Sequence, residues 1–233
     1  MRLTRGQKTR FRQRKESCDK DLVLAGPCHF KQMIGIIDYG LGNLTSVKNA
    51  LDKLNVPNFI SDDPDKLKNS TGLILPGVGA AGTGMKNLKA KGLDQFIIEQ
   101  IKTGKPFLGT CLGMQLLFDF SEEGKTKCLG LIPGTVKRFT TTLKIPQIGW
   151  NNVRIMNDES RIMDRLKNDS YFYFVNSYYC VPADKKVIAG ETDYGVTFAS
   201  AVEKGNIFAT QFHSEKSGET GLKLLKNFTE VCK

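Results

Sequence analysis

Between Met33 and Phe120 the chain repeats one pattern: a short apolar run, a turn, then apolar residues at helical spacing. Ile34–Asp38 is the first run, and Gly40-Leu-Gly-Asn43 leads from it into a stripe at Leu44, Val47, Leu51 and Leu54. Val56–Ser61 and Gly72–Leu75 read as the second and third strands, with a short helix or turn over Asp62–Asn69 between them. Pro76-Gly77 breaks the third, and a Gly-rich turn opens a helix carrying Leu88, Leu93, Phe96 and Ile97. Pro106–Thr110 is the fourth strand, and the spacing predicts a helix over Leu112–Phe120. Strands that are apolar on both faces and alternate with helices pack as a parallel sheet with right-handed crossovers.

After Gly130 the rhythm changes. Thr135–Thr140, Asn152–Met156, Tyr171–Val175, Val187–Glu191, Thr197–Val202 and Ile207–Gln211 are strand-like, with few helices between them. Val202-Glu-Lys-Gly-Asn-Ile207 reads as a hairpin turn, and Thr220–Val231 as a closing helix with Leu222, Leu225 and Phe228 inward. The expected fold class is α/β. It has an open, mostly parallel central sheet flanked by helices, with antiparallel strands in the C-terminal half, as one domain over residues 33–233.

Charge divides the chain differently. The net charge of +10 is concentrated at the start, where residues 1–32 hold nine Lys/Arg and three Asp/Glu. That segment has no strand or helix periodicity, and we read it as a dispensable, disordered basic leader or a start placed upstream of Met33. An organelle transit peptide or a nucleic-acid arm are the other readings of an Arg-rich, acid-poor start. The arm would rest on charge alone, without aromatic interleaving or a recognition motif, so no nucleic-acid partner is expected. No apolar run approaches the roughly 18 residues of a membrane span. Six cysteines without a CxxC, and only two histidines (His29 and His213), argue against a disulfide scaffold and against a zinc site. The cysteines read as reduced, the location as cytoplasmic, and no metal or cofactor is expected.

Three segments carry chemistry. Gly109-Thr110-Cys111-Leu112-Gly113 stands where a buried strand meets a helix. A nucleophile on such a sharp corner needs small flanking residues. A helix N-terminus beneath it favours the thiolate, and the N–H of Leu112 can face a developing oxyanion. A buried structural cysteine in a tight turn is the plain alternative. His213, the one histidine in the folded part, ends a short strand, and Glu215 two residues on falls on the same side of an extended segment. Glu215 can orient the imidazole while His213 exchanges protons with Cys111. Leu75-Pro76-Gly77-Val78-Gly79 is a Gly-rich loop whose N–H groups can be aimed at a carbonyl oxygen. It lacks the G-x-G-x-x-G and Gly-Lys-Ser/Thr signatures of phosphate cradles.

Together these pieces resemble the class I (triad) glutamine amidotransferases. Ile36-Ile-Asp-Tyr-Gly40, Leu75–Gly79, Gly109–Gln115, Ile148-Gly-Trp-Asn151, Tyr173–Tyr178, Gln211-Phe-His213 and Glu215-Lys-Ser-Gly218 are similar to the glutaminase subunits of imidazole glycerol phosphate synthase. The resemblance runs over residues 33–232. It implies a Cys111/His213/Glu215 triad, with an oxyanion and glutamine site drawn from Gly77, Val78, Gly79, Leu112, Gln115, Ser177 and Tyr178. Asn43, Trp150 and Lys216 would lie towards the subunit interface or an ammonia gate; a helix cap, a core aromatic and a solvated charge are their plain roles. L-glutamine would be the substrate. The ammonia would pass to a barrel-shaped cyclase subunit in a heterodimer, which makes imidazole glycerol phosphate and an aminoimidazole carboxamide ribotide in histidine biosynthesis. Two positions depart from the family pattern: Ser214 where Pro is usual between His and Glu, and Asn176 where His is frequent. They leave room for a paralogue aminating another acceptor, such as a surface sugar, or for a non-catalytic scaffold subunit.

Overall fold

A computed structural model of the chain describes residues 33–233; the leader, 1–32, lies outside the described residues. Strands β1 (Ile34–Ile37), β2 (Asn58–Ser61), β3 (Gly72–Leu75) and β4 (Phe107–Thr110) lie parallel in the order β2-β1-β3-β4, and β13 (Ile207–Thr210) joins them in parallel beside β4. Strands β1, β3, β4 and β13 are buried along their whole length, which is why they read as unbroken apolar runs. Helices α1 (Leu44–Lys53) and α6 (Gly218–Val231) cover one face, where Val47, Leu51, Leu224, Leu225 and Phe228 pack on Ile34, Ile36, Ile74, Leu108 and Phe208. Helices α3 (Ala81–Ala90) and α4 (Leu93–Lys102) bring Met85, Leu88, Phe96 and Ile97 onto Leu73, Leu75 and Phe107 of the other. A five-residue helix, α2 (Pro64–Lys68), starts with Asp63 accepting a hydrogen bond from the Asp65 N–H and with proline at its first position.

Beyond β13 the sheet turns antiparallel through β12 (Thr197–Lys204), β10 (Tyr178–Pro182) and β7 (Ile132–Arg138). It ends with β5 (Phe118–Ser121), parallel to β7, and β6 (Thr126–Lys127). From β12 a branch runs through β11 (Ile188–Asp193) to β8 (Gln147–Ile155) and β9 (Ser170–Asn176). The fold class is therefore the expected one. Among the described residues no helix is long and apolar enough to cross a membrane.

Several element boundaries differ from expectation. The stripe through Leu88 and Ile97 belongs to two helices, because Gly92 takes a left-handed conformation (φ 66°) and ends the first. The helix expected over Leu112–Phe120 is a single turn, α5 (Leu112–Gln115). The N–H groups of Leu129, Gly130, Leu131 and Ile132 take the carbonyls of Leu116, Leu117 and Phe118, so residues 118–121 continue as strand β5. Strand β8 begins at Gln147, five residues before the expected start, and contains the Gly-Trp-Asn segment. Strand β10 was not expected, since one residue, Ser177, separates it from β9.

Candidate active site

Cys111 caps β4 in a conformation rare for any residue but glycine, φ 54° and ψ −111°. Such backbone costs on the order of 1–3 kcal/mol and persists only where the surroundings impose it. Here the Cys111 N–H donates to the Thr210 carbonyl of β13 (2.7 Å), and the elbow behind it is packed backbone on backbone. A Cβ on Gly113 would stand 1.9 Å from the Leu75 carbonyl oxygen, and one on Gly109 would stand 2.8 Å from the Gly113 oxygen. These contacts are the physical content of the Gly-x-Cys-x-Gly pattern. Because α5 is one turn long, it contributes less to holding a thiolate than the longer helix expected from sequence would.

His213 follows β13 and is 3% exposed. Its N–H donates to the Tyr173 carbonyl (2.9 Å), and its carbonyl accepts from Ser217 Oγ (2.6 Å). His213 Nδ1 meets Glu215 Oε1 at 2.8 Å, which leaves the other ring nitrogen for the Cys111 thiol, whose Sγ also lies 3.8 Å from the Val175 carbonyl oxygen. The route to that pairing differs from the expectation. Residues Ser214–Lys216 form a single 3-10 turn rather than an extended segment, and the turn brings Glu215 back under the ring. Burial pulls the imidazole pKa down, but hydrogen bonds with Cys111 and Glu215 and their charges outweigh it and push His213 up to about 10. The remaining described thiols are held protonated. Burial pushes Cys128 up to about 11, Cys232 up to about 12 and Cys180 well above the ordinary range.

A cavity of about 290 Å³ opens over Cys111. It brings together Val78, Gly79, Cys111, Leu112, Gln115, Ser177, Tyr178, His213 and Lys216 of the expected residues. Asn176, one of the two departures from the family pattern, lines it too, as do Glu123, Pro146 and Val175, which were not expected there. Glu215 sits behind His213. Gly77 stands beneath the wall, where a Cβ would fall 2.4 Å from Tyr39 Oη and 2.8 Å from Leu112 Cβ. Its carbonyl accepts the Leu112 N–H at 3.4 Å, so the donor expected to face an oxyanion is turned inward in this conformation. Asn43 is the N-cap of α1, its side chain accepting from the Ser46 N–H (3.3 Å), and does not line the cavity. Trp150 is 56% exposed on β8, edge-on to Tyr173, and is not a core aromatic. Gln211, fully buried, belongs to a motif quoted above but was given no role there: its Nε2 lies 3.7 Å from Cys111 Sγ. The signal was its place two residues before His213. Among the described residues no group of three His, Cys, Asp or Glu side chains could hold a metal ion.

An elbow cysteine facing a histidine–carboxylate pair at the C-terminal ends of adjacent parallel strands fits a nucleophilic amidotransferase. The class I glutamine amidotransferase family matches residues 11–232. The chain belongs to that family. It is 48% identical over 201 residues to imidazole glycerol phosphate synthase subunit HisH of Moorella thermoacetica, covering 86% of this chain and 95% of that protein. To the subunit of the same name from Herpetosiphon aurantiacus it is 46% identical with the same coverage. Within class I, these similarities place it in the HisH group. In fold it is similar to a chain of the PurLQS structure from Thermotoga maritima (TM-score 0.70, 19% identity, 87% of this chain and 100% of that one). A solved glutamine amidotransferase gives TM-score 0.69 at 18% identity, over 85% of this chain and 98% of that one.

Proposed function

We propose that this chain is the glutaminase subunit of an imidazole glycerol phosphate synthase, hydrolysing L-glutamine to glutamate and ammonia. The ammonia is delivered to a cyclase subunit in a heterodimer, for the synthesis of imidazole glycerol phosphate in histidine biosynthesis. The paralogue and scaffold readings are not favoured: relatives at 46–48% identity carry the HisH name. The observation that supports the chemistry is the 2.8 Å contact of His213 Nδ1 with Glu215, with Cys111 on the other side of the ring.

In this reading the Cys111 thiolate attacks the side-chain carbonyl carbon of glutamine, and the carbonyl oxygen becomes an oxyanion. The His213 imidazolium gives its proton to the departing nitrogen, and ammonia leaves a thioester on Cys111. Neutral His213 then takes a proton from water. Hydroxide attacks the thioester, the thiolate leaves, and glutamate is released with His213 again charged. Glu215 holds the ring by Nδ1 throughout. Leu112 N–H serves the oxyanion only after the Gly77 carbonyl turns away. Rotating the Gly77–Val78 peptide removes that carbonyl and swings the Val78 N–H, the two changes the oxyanion site needs; each donor is worth roughly 3–4 kcal/mol. Gln115, Ser177 and Tyr178 contact the glutamine.

The test is glutamate release by the complex with its cyclase, wild type against Cys111→Ala. The variant is expected to lose glutamine-dependent synthesis entirely and to retain synthesis from added ammonia. Glutamine turnover at the wild-type rate would overturn the assignment of the nucleophile.

A further inference from the structure

The wall behind Cys111 contains two buried amides whose direction can be worked out. Gln115 Nε2 lies 3.3 Å from the Tyr178 carbonyl oxygen and 3.0 Å from Gln211 Oε1. Gln211 in turn places Nε2 3.7 Å from Cys111 Sγ. A backbone carbonyl can only accept, so the Gln115 amide must present its NH₂ to Tyr178, where Asn176 Nδ2 also donates (3.0 Å). Both Gln115 hydrogens are then used, one on Tyr178 and one on Gln211, and the second requires the acceptor end of Gln211 to face Gln115. The donor end of Gln211 is thereby pointed at the sulfur. Its backbone cannot yield, since the Gln211 N–H is tied to the Ser200 carbonyl (2.8 Å) and the side chain is fully buried.

We propose that Gln211 is a further catalytic residue, whose side-chain N–H is a fixed donor to the Cys111 thiolate, oriented by the Tyr178 carbonyl through Gln115. The inference rests on Cys111 being the glutaminase nucleophile. A donor at this place favours the thiolate before attack and again when sulfur leaves the thioester, and no proton changes hands with the amide. It stands in for the helix dipole that one-turn α5 supplies weakly. The same chain of polarity leaves Gln115 Oε1 as the group that Gln115 offers the cavity, an acceptor suited to an N–H of the bound amino acid.

The titratable groups facing Sγ are His213, Tyr39 and Cys180, with Glu123 and Lys216 on the cavity wall; all stay constant in the test. The probe is iodoacetamide, with alkylation of Cys111 followed by peptide mass spectrometry against pH on the full chain. Glutamine kcat and KM are measured in the complex. Two variants separate the ends of the amide. Gln211→Met removes both without adding charge, and Gln211→Glu keeps an acceptor for Gln115 but removes the donor to sulfur. Both should move the pH midpoint of Cys111 alkylation upward by about one unit, the scale of a tenfold change in ionisation. Both should lower kcat by about tenfold, the lower end for a lost hydrogen bond to a charged group. KM for glutamine should rise in Gln211→Met and stay level in Gln211→Glu.

An unchanged midpoint in either folded variant overturns the proposal. Should neither variant fold, the side-chain ¹⁵N–H signal of Gln211 in the wild-type chain decides: it must titrate with the alkylation midpoint, and a signal flat across it overturns the proposal. The alkylation arm does not use glutamine. A chain that shows the shift but releases no glutamate would refute the glutaminase reading and leave the donor in place.

Discussion

Two regions meet over Cys111 and are built on opposite terms. The β3–β4 elbow has no room: its side chains are buried, and backbone touches backbone at Gly113 and Leu75. The β8–β9 hairpin has an uncovered face. Ile148 (61% exposed) and Trp150 alternate along β8 opposite Val175 and Tyr173, with Tyr171 (61% exposed) continuing the row. Exposed aromatics in a row cost solubility and mark a surface built to be covered. Yet β9 also reaches the site, through Val175 and Asn176 on the cavity wall. The first region fixes where Cys111, the proposed nucleophile, stands. The second joins the cavity to an open face, and under the proposed function that face is the one a cyclase partner would cover.

The largest effect expected from breaking this contrast is Gly113→Ala. A methyl 1.9 Å from the Leu75 carbonyl oxygen cannot be accommodated without moving β3 or the elbow. A loss of about 3 kcal/mol or more is expected, read as a Tm drop of roughly 6–12 °C or failure to fold. Next is Glu215→Gln, which should lower kcat about a hundredfold by leaving the imidazole unoriented and its charge unsupported. It should also change the pH dependence of stability. His213 is raised from 6.5 to about 10, so the charged ring stabilises the fold fully below the unfolded value, and the gain drains away as pH climbs towards 10. Urea unfolding of the wild type should therefore weaken between those limits. The variant should show that decline over a narrower window starting from the same low-pH end, with the His213 NMR titration moved down.

Trp150→Ala probes the open region. Tm should stay within about 1 °C, while the Kd for the cyclase rises about tenfold or more, as for a truncated aromatic anchor. Parallel losses in both would mean the ring serves the hairpin instead. The smallest effect expected is Ser214→Pro. Residue 214 opens the 3-10 turn after His213, which already has the extended backbone (φ −91°, ψ 96°) that a following proline requires. Ser214 Oγ is buried without a hydrogen-bond partner, so proline removes an unmet polar group as well. A gain of about 0.5–1 kcal/mol with unchanged kcat is expected, measured by denaturant midpoint.

What could be read from the sequence follows the same division. Strands β1, β3 and β4 were legible because burial on both faces leaves a continuous apolar signal, and the elbow because its glycines have no substitute. The one-turn α5 was not, because Leu112, Leu116 and Leu117 keep helical spacing. What ends the helix is the segment around Leu129–Ile132, whose N–H groups claim the carbonyls of Leu116, Leu117 and Phe118 just beyond it, from a distance in sequence that no local pattern records. The pairing of His213 with Glu215 was legible as a spacing, although a tight turn rather than an extended strand achieves it. Gln211 was hidden for a further reason. An amide has no chemistry of its own to advertise, and its meaning comes from which end faces the sulfur, decided by the carbonyl of Tyr178 more than thirty positions away.

The hydrogen bond from Leu112 N–H to the Gly77 carbonyl has a pharmacological consequence. In the proposed mechanism the chain in this conformation carries its own competitive ligand: a tethered carbonyl seated on the donor assigned to the substrate oxygen, present at high effective concentration and never diluted. Any molecule shaped like the tetrahedral intermediate has to evict it first. If the tethered form prevails about a hundredfold, such a molecule binds the lone chain about a hundredfold below its intrinsic affinity. Whatever lifts the Gly77 carbonyl would raise turnover and inhibitor potency together.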